Sequence, residues 1–255
     1  MGDIVRLEVS DRIAVVTLDR PPVNAFNREL RERVIDVFDE ISERADVTVA
    51  VLTGAGKVFC AGADLKDRPN PDLAGAFSSH NRVTRESSNA LKECAKPIIC
   101  AVNGAALGAG LGLMAACDIF LASETAVFGM PEIDVGLAGG AAMLHSLFGR
   151  STMRRMMYTG CRLSAADMYR LGIIEAAVPP DQLMPEAMKL AAEIAGKAPL
   201  GLQYAKTSAN MVELMPQKDA YRFEQNFTQA LAKTEDSKEA RRAFAEKRKP
   251  VFQGR

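Results

Sequence analysis

The stretch NGAALGAGLGLMAACD, Asn103–Asp118, decides how this chain is read, taken with FCAGADLK at Phe59–Lys66 and FGMPEI at Phe128–Ile133. A short strand-like run, IICAV at Ile98–Val102, leads into the first stretch, and TVAVLT at Thr48–Thr53 precedes the second. Both then become rich in Gly and Ala where a strand would stop. Small residues at a strand end leave backbone N–H groups uncovered, so two such loops can aim two amides at one oxygen. A lone carboxylate, Glu132, follows in a third small-residue neighbourhood. Two oxyanion donors and one acid/base group outline a site that forms an enolate.

At 255 residues the chain suits one domain of moderate size, or a core with an appendage. Its 48% apolar and 25% charged residues are values of a globular protein. The 32 basic residues balance 32 acidic ones, so no global field draws the chain to nucleic acid or to a membrane. Five Cys (Cys60, Cys94, Cys100, Cys117, Cys161) form no CxxC pair, and two His make a zinc cage implausible. The expectation is a reduced, cytoplasmic protein that binds no metal. The N-terminal run alternates apolar and charged residues and lacks the apolar core of a signal peptide. Pro97–Cys117 carries no charge over 21 residues, but Pro97, Asn103 and four glycines argue against a membrane helix.

Ile4–Ser10 and Ile13–Leu18 alternate as two strands of a hairpin around Ser10-Asp11-Arg12. Asn27 then caps a helix that places Leu30, Val34, Val37, Phe38 and Ile41 on one face. Thr48–Thr53 is a strand, and a polar, Pro-rich loop at Lys66–Leu73 leads to a helix that Pro97 prevents from continuing. Ile98–Val102 is a strand, the Gly-rich turn opens a helix to about Ala116, and Ile119–Ala122 is a strand again. Recurring strand and helix units through the first 180 residues suggest an α/β core rich in parallel strands. Ser164 caps a short helix closed by Gly172, and Ile174–Val178 is one more strand. After Pro179-Pro180 the pattern gives helices at about 184–197, 200–214, 218–233 and 237–247. From Ser237 to Arg255 seven Lys/Arg face two Glu, either a solvated helix face or a docking surface for a ligand phosphate.

Several segments, in order, resemble the enoyl-CoA hydratase/isomerase (crotonase) superfamily over nearly the whole chain. They are VVTLDRPPVNAF, VLTGAGKVFCAGADLK, KPIICAVNGAALGAG with MAACDI, FGMPEIDVG, LSAADMYRLGIIEAAVP and RRAFAEKRKPVF. The resemblance implies a crotonase-like superhelix of ββα units over residues 1–198, followed by a helical trimerisation region over 199–255. It implies an acyl-CoA substrate, with no cofactor beyond the coenzyme A of that substrate, and a homotrimer or a hexamer built as a dimer of trimers. Carried over residue by residue, the oxyanion amides would be those of Ala63 and Ala109. Glu132 would be the acid/base group, and Ala61, Ala63, Asp64, Leu65, Lys66 and Ala109 would line the substrate path, Lys66 near the CoA phosphates.

The chain departs from the family in its acid/base set. Hydratases place a first glutamate in the helix after the oxyanion residue, where this chain has Gly112, and a second where it has Glu132. The two aspartate positions of dienoyl-CoA isomerases fall on Gly112 and Gly140. A single carboxylate can shuttle a proton between two carbons or activate one water, so hydratase and double-bond isomerase are both open. Hydratase-lyase, hydrolase or decarboxylase chemistry and a non-catalytic acyl-CoA-binding protein are the alternatives. An Asp in a small-residue turn more often bonds its own backbone, which is the expected role of Asp64. His145 and Ser146 are adjacent on a helix and point apart, so they form no pair. Cys60 has no partner His to make it a nucleophile, and Gly108–Gly112 is not spaced as a dinucleotide loop.

Overall fold

The computed structural model describes residues 3–255. The expected hairpin forms: β1 (Val5–Ser10) pairs antiparallel with β2 (Ile13–Leu18), and Asp11 and Arg12 take left-handed backbone at its turn. Asn27 caps α1 (Arg28–Glu43) by accepting the Leu30 N–H at 3.0 Å, and the five apolar residues of its inner face are buried. Then follow β3 (Val49–Gly54), β4 (Val58–Cys60), α2 (Ala76–Glu93), β5 (Ile98–Val102), β6 (Ala105–Leu107) and α3 (Ala109–Ala115). Next come β7 (Ile119–Ser123), β8 (Val127–Gly129), α4 (Ala141–Leu147), α5 (Arg150–Thr159), β9 (Arg162–Ser164), α6 (Ala165–Arg170) and β10 (Ala176–Val178). Helices α7 (Leu183–Ala195), α8 (Pro199–Val212), α9 (Gln217–Leu231) and α10 (Glu235–Ala245) complete the chain.

The strands form two sheets, ordered β1-β2-β3-β5-β7-β10 and β4-β6-β8-β9. The first is parallel except for β1, the second parallel except for β9. Alternation along the strands assigns the two faces of the larger sheet. Ala50, Leu52, Ile98, Cys100 and Val102 join the main core with α1, Phe59, Leu111 and Phe128. Val49, Val51, Ile99 and Ala101 turn the other way, onto Leu183, Ala187, Ala191 and Ala195 of α7. An alanine every fourth residue lets α7 lie close to the sheet. With both faces covered, β3 and β5 are buried along their whole length.

The smaller sheet leaves no periodic trace in the sequence. Its strands are three residues long and read VFC, AAL, VFG and RLS, too short and too poor in β-branched residues to show a period. The uncharged span Pro97–Cys117 divides into β5, β6 and α3, and no helix among the described residues is long and apolar enough to cross a membrane. α8 is held to the core by Lys206, whose buried ammonium donates to the Leu91 and Lys96 carbonyls at 2.9 and 3.1 Å. The same ammonium pairs with Asp118 at 2.9 Å. Asp118 in turn accepts the Ile98 N–H at the start of β5.

Candidate active site

Gly108 joins β6 to α3 at φ +51, a conformation that favours glycine. It is glycine for a second reason, since a side chain there would collide with the Glu132 carboxylate. Its N–H donates to the Gly129 carbonyl at 2.9 Å and ties the turn to β8. A side chain on Gly110 would strike the Cys60 carbonyl, so the start of α3 is pressed onto the end of β4. Ala109 is the first residue of that helix, where an N–H has no intrahelical acceptor. Among the described residues it donates to nothing else.

Ala63 reaches the same condition by another route. Phe26 donates to the Gly62 carbonyl at 2.8 Å and accepts from the Asp64 N–H at 3.3 Å, an isolated parallel bridge. In such a bridge the intervening residue turns its own N–H to the opposite side. The Ala63 N–H accordingly donates to no acceptor among the described residues. A Cβ built on Gly62 would lie 3.0 Å from the Leu107 carbonyl oxygen and 3.8 Å from the Ala109 nitrogen. The two loops therefore touch, and two free amides stand next to the contact.

Side chains hold both loops in place. Asn24, 2% exposed, donates to the Ala55, Val58 and Phe59 carbonyls and accepts the Arg20 N–H at 3.0 Å. Arg20 pairs with Asp64 at 2.9 Å, and Asp64 also accepts the Lys66 N–H at 3.0 Å. Asp64 thus makes the turn bond expected of it. At the far end of that turn, Leu65–Asp67, the Asp67 carboxylate accepts the Arg28 N–H at 2.5 Å and lies 3.5 Å from buried Arg31. Asn103 clamps the other loop by accepting from Gly54 N–H and donating to the Gly56 carbonyl. Ala61 donates its N–H to Val23 at 3.1 Å, while Leu65 and Lys66 are exposed. Asn24, Arg20 and Asp67 were not singled out from the sequence; the one available signal was the polar pair Arg20 and Asn24 around Pro21-Pro22.

Glu132 stands in the helical turn Pro131–Val135, its carboxylate against Gly108. Its Oε2 is buried with no hydrogen-bond partner. Burial raises the carboxyl above its ordinary value, against a smaller lowering by a backbone hydrogen bond. A half-buried carboxylate with one buried oxygen left unpartnered is costly in a resting fold and suited to moving a proton. Gly112 is buried one turn further along α3, and the Met143 Cγ of α4 is the heavy atom that a Cβ there would meet, at 3.6 Å. No second carboxylate occupies that seat. Burial pushes the Cys60 thiol up to about 11, which keeps it protonated and unreactive.

Residues 8–255 match the family model for enoyl-CoA hydratase/isomerase. The chain belongs to the enoyl-CoA hydratase/isomerase family. It is 37% identical to the (E)-benzylidenesuccinyl-CoA hydratase of Thauera aromatica, over 98% of this chain and 99% of the relative. It is 35% identical to a (7aS)-7a-methyl-1,5-dioxo-2,3,5,6,7,7a-hexahydro-1H-indene-carboxyl-CoA hydrolase of Rhodococcus jostii, over 94% of this chain and 93% of that one. The crystal structure of an enoyl-CoA hydratase from Bacillus anthracis superposes with a TM-score of 0.93 at 30% identity, covering 99% of this chain and 100% of that one. The fold is thus the crotonase-like α/β fold, and the chain is a member of an enzyme family. Relatives at nearly equal identity carry different reaction names, so the site has to be read from its own residues.

Proposed function

We propose that this enzyme acts on an enoyl-CoA thioester, holding the thioester oxygen on the Ala63 and Ala109 amides while Glu132 moves the proton. The observation that carries the reading is the buried, unpartnered Glu132 oxygen beside Gly108, the residue that precedes a free Ala109 N–H. Preorganised donors of this kind contribute about 3 kcal/mol each to holding an oxyanion. In hydration of a 2-enoyl thioester, Glu132 takes a proton from water as the hydroxyl bonds to C3. The π electrons move onto the thioester oxygen, and the protonated Glu132 then delivers its proton to C2. In double-bond shift of a 3-enoyl thioester, Glu132 takes a proton from C2 and returns it to C4. Both cycles close with one carboxylate and need no group beyond the substrate's own coenzyme A.

Asp64 shapes the turn in this scheme, while Ala61, Leu65 and Lys66 flank the path of the pantetheine arm and its phosphates. A hydrolytic reading has one specific support, the CoA hydrolases among the relatives. The region from 199 onward exposes Leu214 at 84%, Phe244 at 87% and Val251 at 70%, which supports its burial in a trimer or a dimer of trimers. Five free thiols, four of them buried, fit a cytoplasmic setting. Incubation with short, medium and aromatic 2-enoyl- and 3-enoyl-CoAs tests the reading. Mass spectrometry reports gain of water and absorbance of the conjugated thioester reports isomerisation. Release of free coenzyme A would favour the hydrolase, and no change on any thioester would sink the enzymatic reading.

A further inference from the structure

We propose that Met143 sets which acyl groups the site accepts, an inference that rests on the thioester reading above. Gly108 is the N-cap of α3 and Gly112 lies one turn into the helix, its N–H donating to the Gly108 carbonyl at 3.0 Å. The Glu132 carboxylate abuts the first of them. A rise of about 1.5 Å per residue puts the second about 6 Å further along the axis. An acyl chain whose thioester oxygen sits at the Ala109 amide has its first carbons beside Glu132 and its next ones beside Gly112.

Gly112 contributes no side chain to that wall, and the neighbour a Cβ would meet there is the Met143 Cγ, 3.6 Å away. Met143 is half-buried on α4, a helix that packs against α3, with exposed Ala142 before it and buried Leu144 after it. The space opposite Glu132 is therefore bounded by an unbranched thioether where a carboxylate would need water or a cation beside it. Such a wall takes an apolar acyl substituent at the carbon beyond the reacting ones. Methionine is flexible enough to bend around groups of different shape. Its length, rather than a charge, limits their size.

Saturated thioesters test this without turnover. Butyryl-CoA and 3-phenylpropionyl-CoA are titrated calorimetrically into wild type, Met143→Ala and Met143→Phe, with thermal melts on each preparation. The Ala variant is expected to raise affinity for the aryl thioester relative to butyryl by about tenfold or more, and the Phe variant to lower the same ratio. Should the Ala variant not fold, the Phe arm decides alone. Ratios within about twofold of wild type in the folded variants would overturn the proposal. Wild type that binds neither thioester would overturn the acyl-CoA reading itself and Met143's role with it. Shifted ratios in a protein that turns over no enoyl-CoA would uphold Met143 and count against catalysis alone.

Discussion

The carboxylate of Glu132 rests against Gly108, the residue whose left-handed turn delivers the free amide of Ala109. The proton carrier and one oxyanion donor are thus fixed by the same peptide. A methyl group at position 108 would disturb both. Gly108→Ala meets a positive φ and a carboxylate in the space it needs, so stability should fall by about 1–3 kcal/mol. Turnover should fall further than the loss of folded protein explains. A denaturation midpoint and kcat from one preparation separate the two effects, and a fully active Ala variant would show that the contact is incidental.

The raised carboxyl of Glu132 gives a pH dependence of definite sign. As a base Glu132 must be ionised, so kcat/KM should fall as pH drops through a value above the ordinary carboxylate range. The folded state holds this proton more tightly than the unfolded one. The group's contribution to stability is therefore present at low pH and lost as pH rises from the ordinary value through the raised one. In Glu132→Gln that part of the stability slope should vanish. An acid limb at the ordinary carboxylate value would mean that the carboxylate is hydrated in solution.

Lys206 is a buried cation that pairs with Asp118 and donates to the Leu91 and Lys96 carbonyls. Lys206→Ala leaves Asp118, which water still reaches, short of its partner and two carbonyls without their donor, so it should cost about 1–3 kcal/mol. Lys206→Met keeps the stem and loses only the charge and its bonds, and should cost less. Urea midpoints rank the three proteins. Equal midpoints would mean that α8 is held by its apolar contacts alone.

Much of this arrangement could be read from the sequence, and the parts that could not share a cause. Strands β3 and β5 and helix α1 announce themselves by continuous or periodic apolar runs. Glycines 104, 108 and 110 marked the turn, because close backbone approach leaves no choice of residue there. The smaller sheet escaped because three-residue strands carry no period. Asn24, Arg20 and Asp67 escaped because their partners lie up to 44 residues away and no local pattern encodes such bonds. Met143 was invisible for the same reason, since its pairing with Gly112 exists only once α4 folds back on α3.

Gly112→Glu tests the empty seat directly. The new Cβ meets the Met143 Cγ at an ordinary contact distance of 3.6 Å, and where the rest of the side chain overpacks the site the cost is about 1–3 kcal/mol. If it is accommodated, two carboxylates share a dry site and one of them is driven to its neutral acid form. Hydration of short 2-enoyl-CoAs should then rise relative to isomerisation of 3-enoyl-CoAs, and bulky thioesters should be excluded. A folded variant with the wild-type product ratio and substrate range would show that position 112 does not face the reacting carbons.

The most direct measurement is a comparison of Glu132→Gln with wild type, scoring acyl-CoA affinity and turnover together. Gln keeps the size of the side chain and removes the base. Affinity for a saturated thioester should hold, while kcat on the best enoyl-CoA should drop by about 10²–10⁴-fold. A Gln variant that binds normally and keeps more than roughly a third of wild-type kcat would contradict Glu132 as the proton carrier.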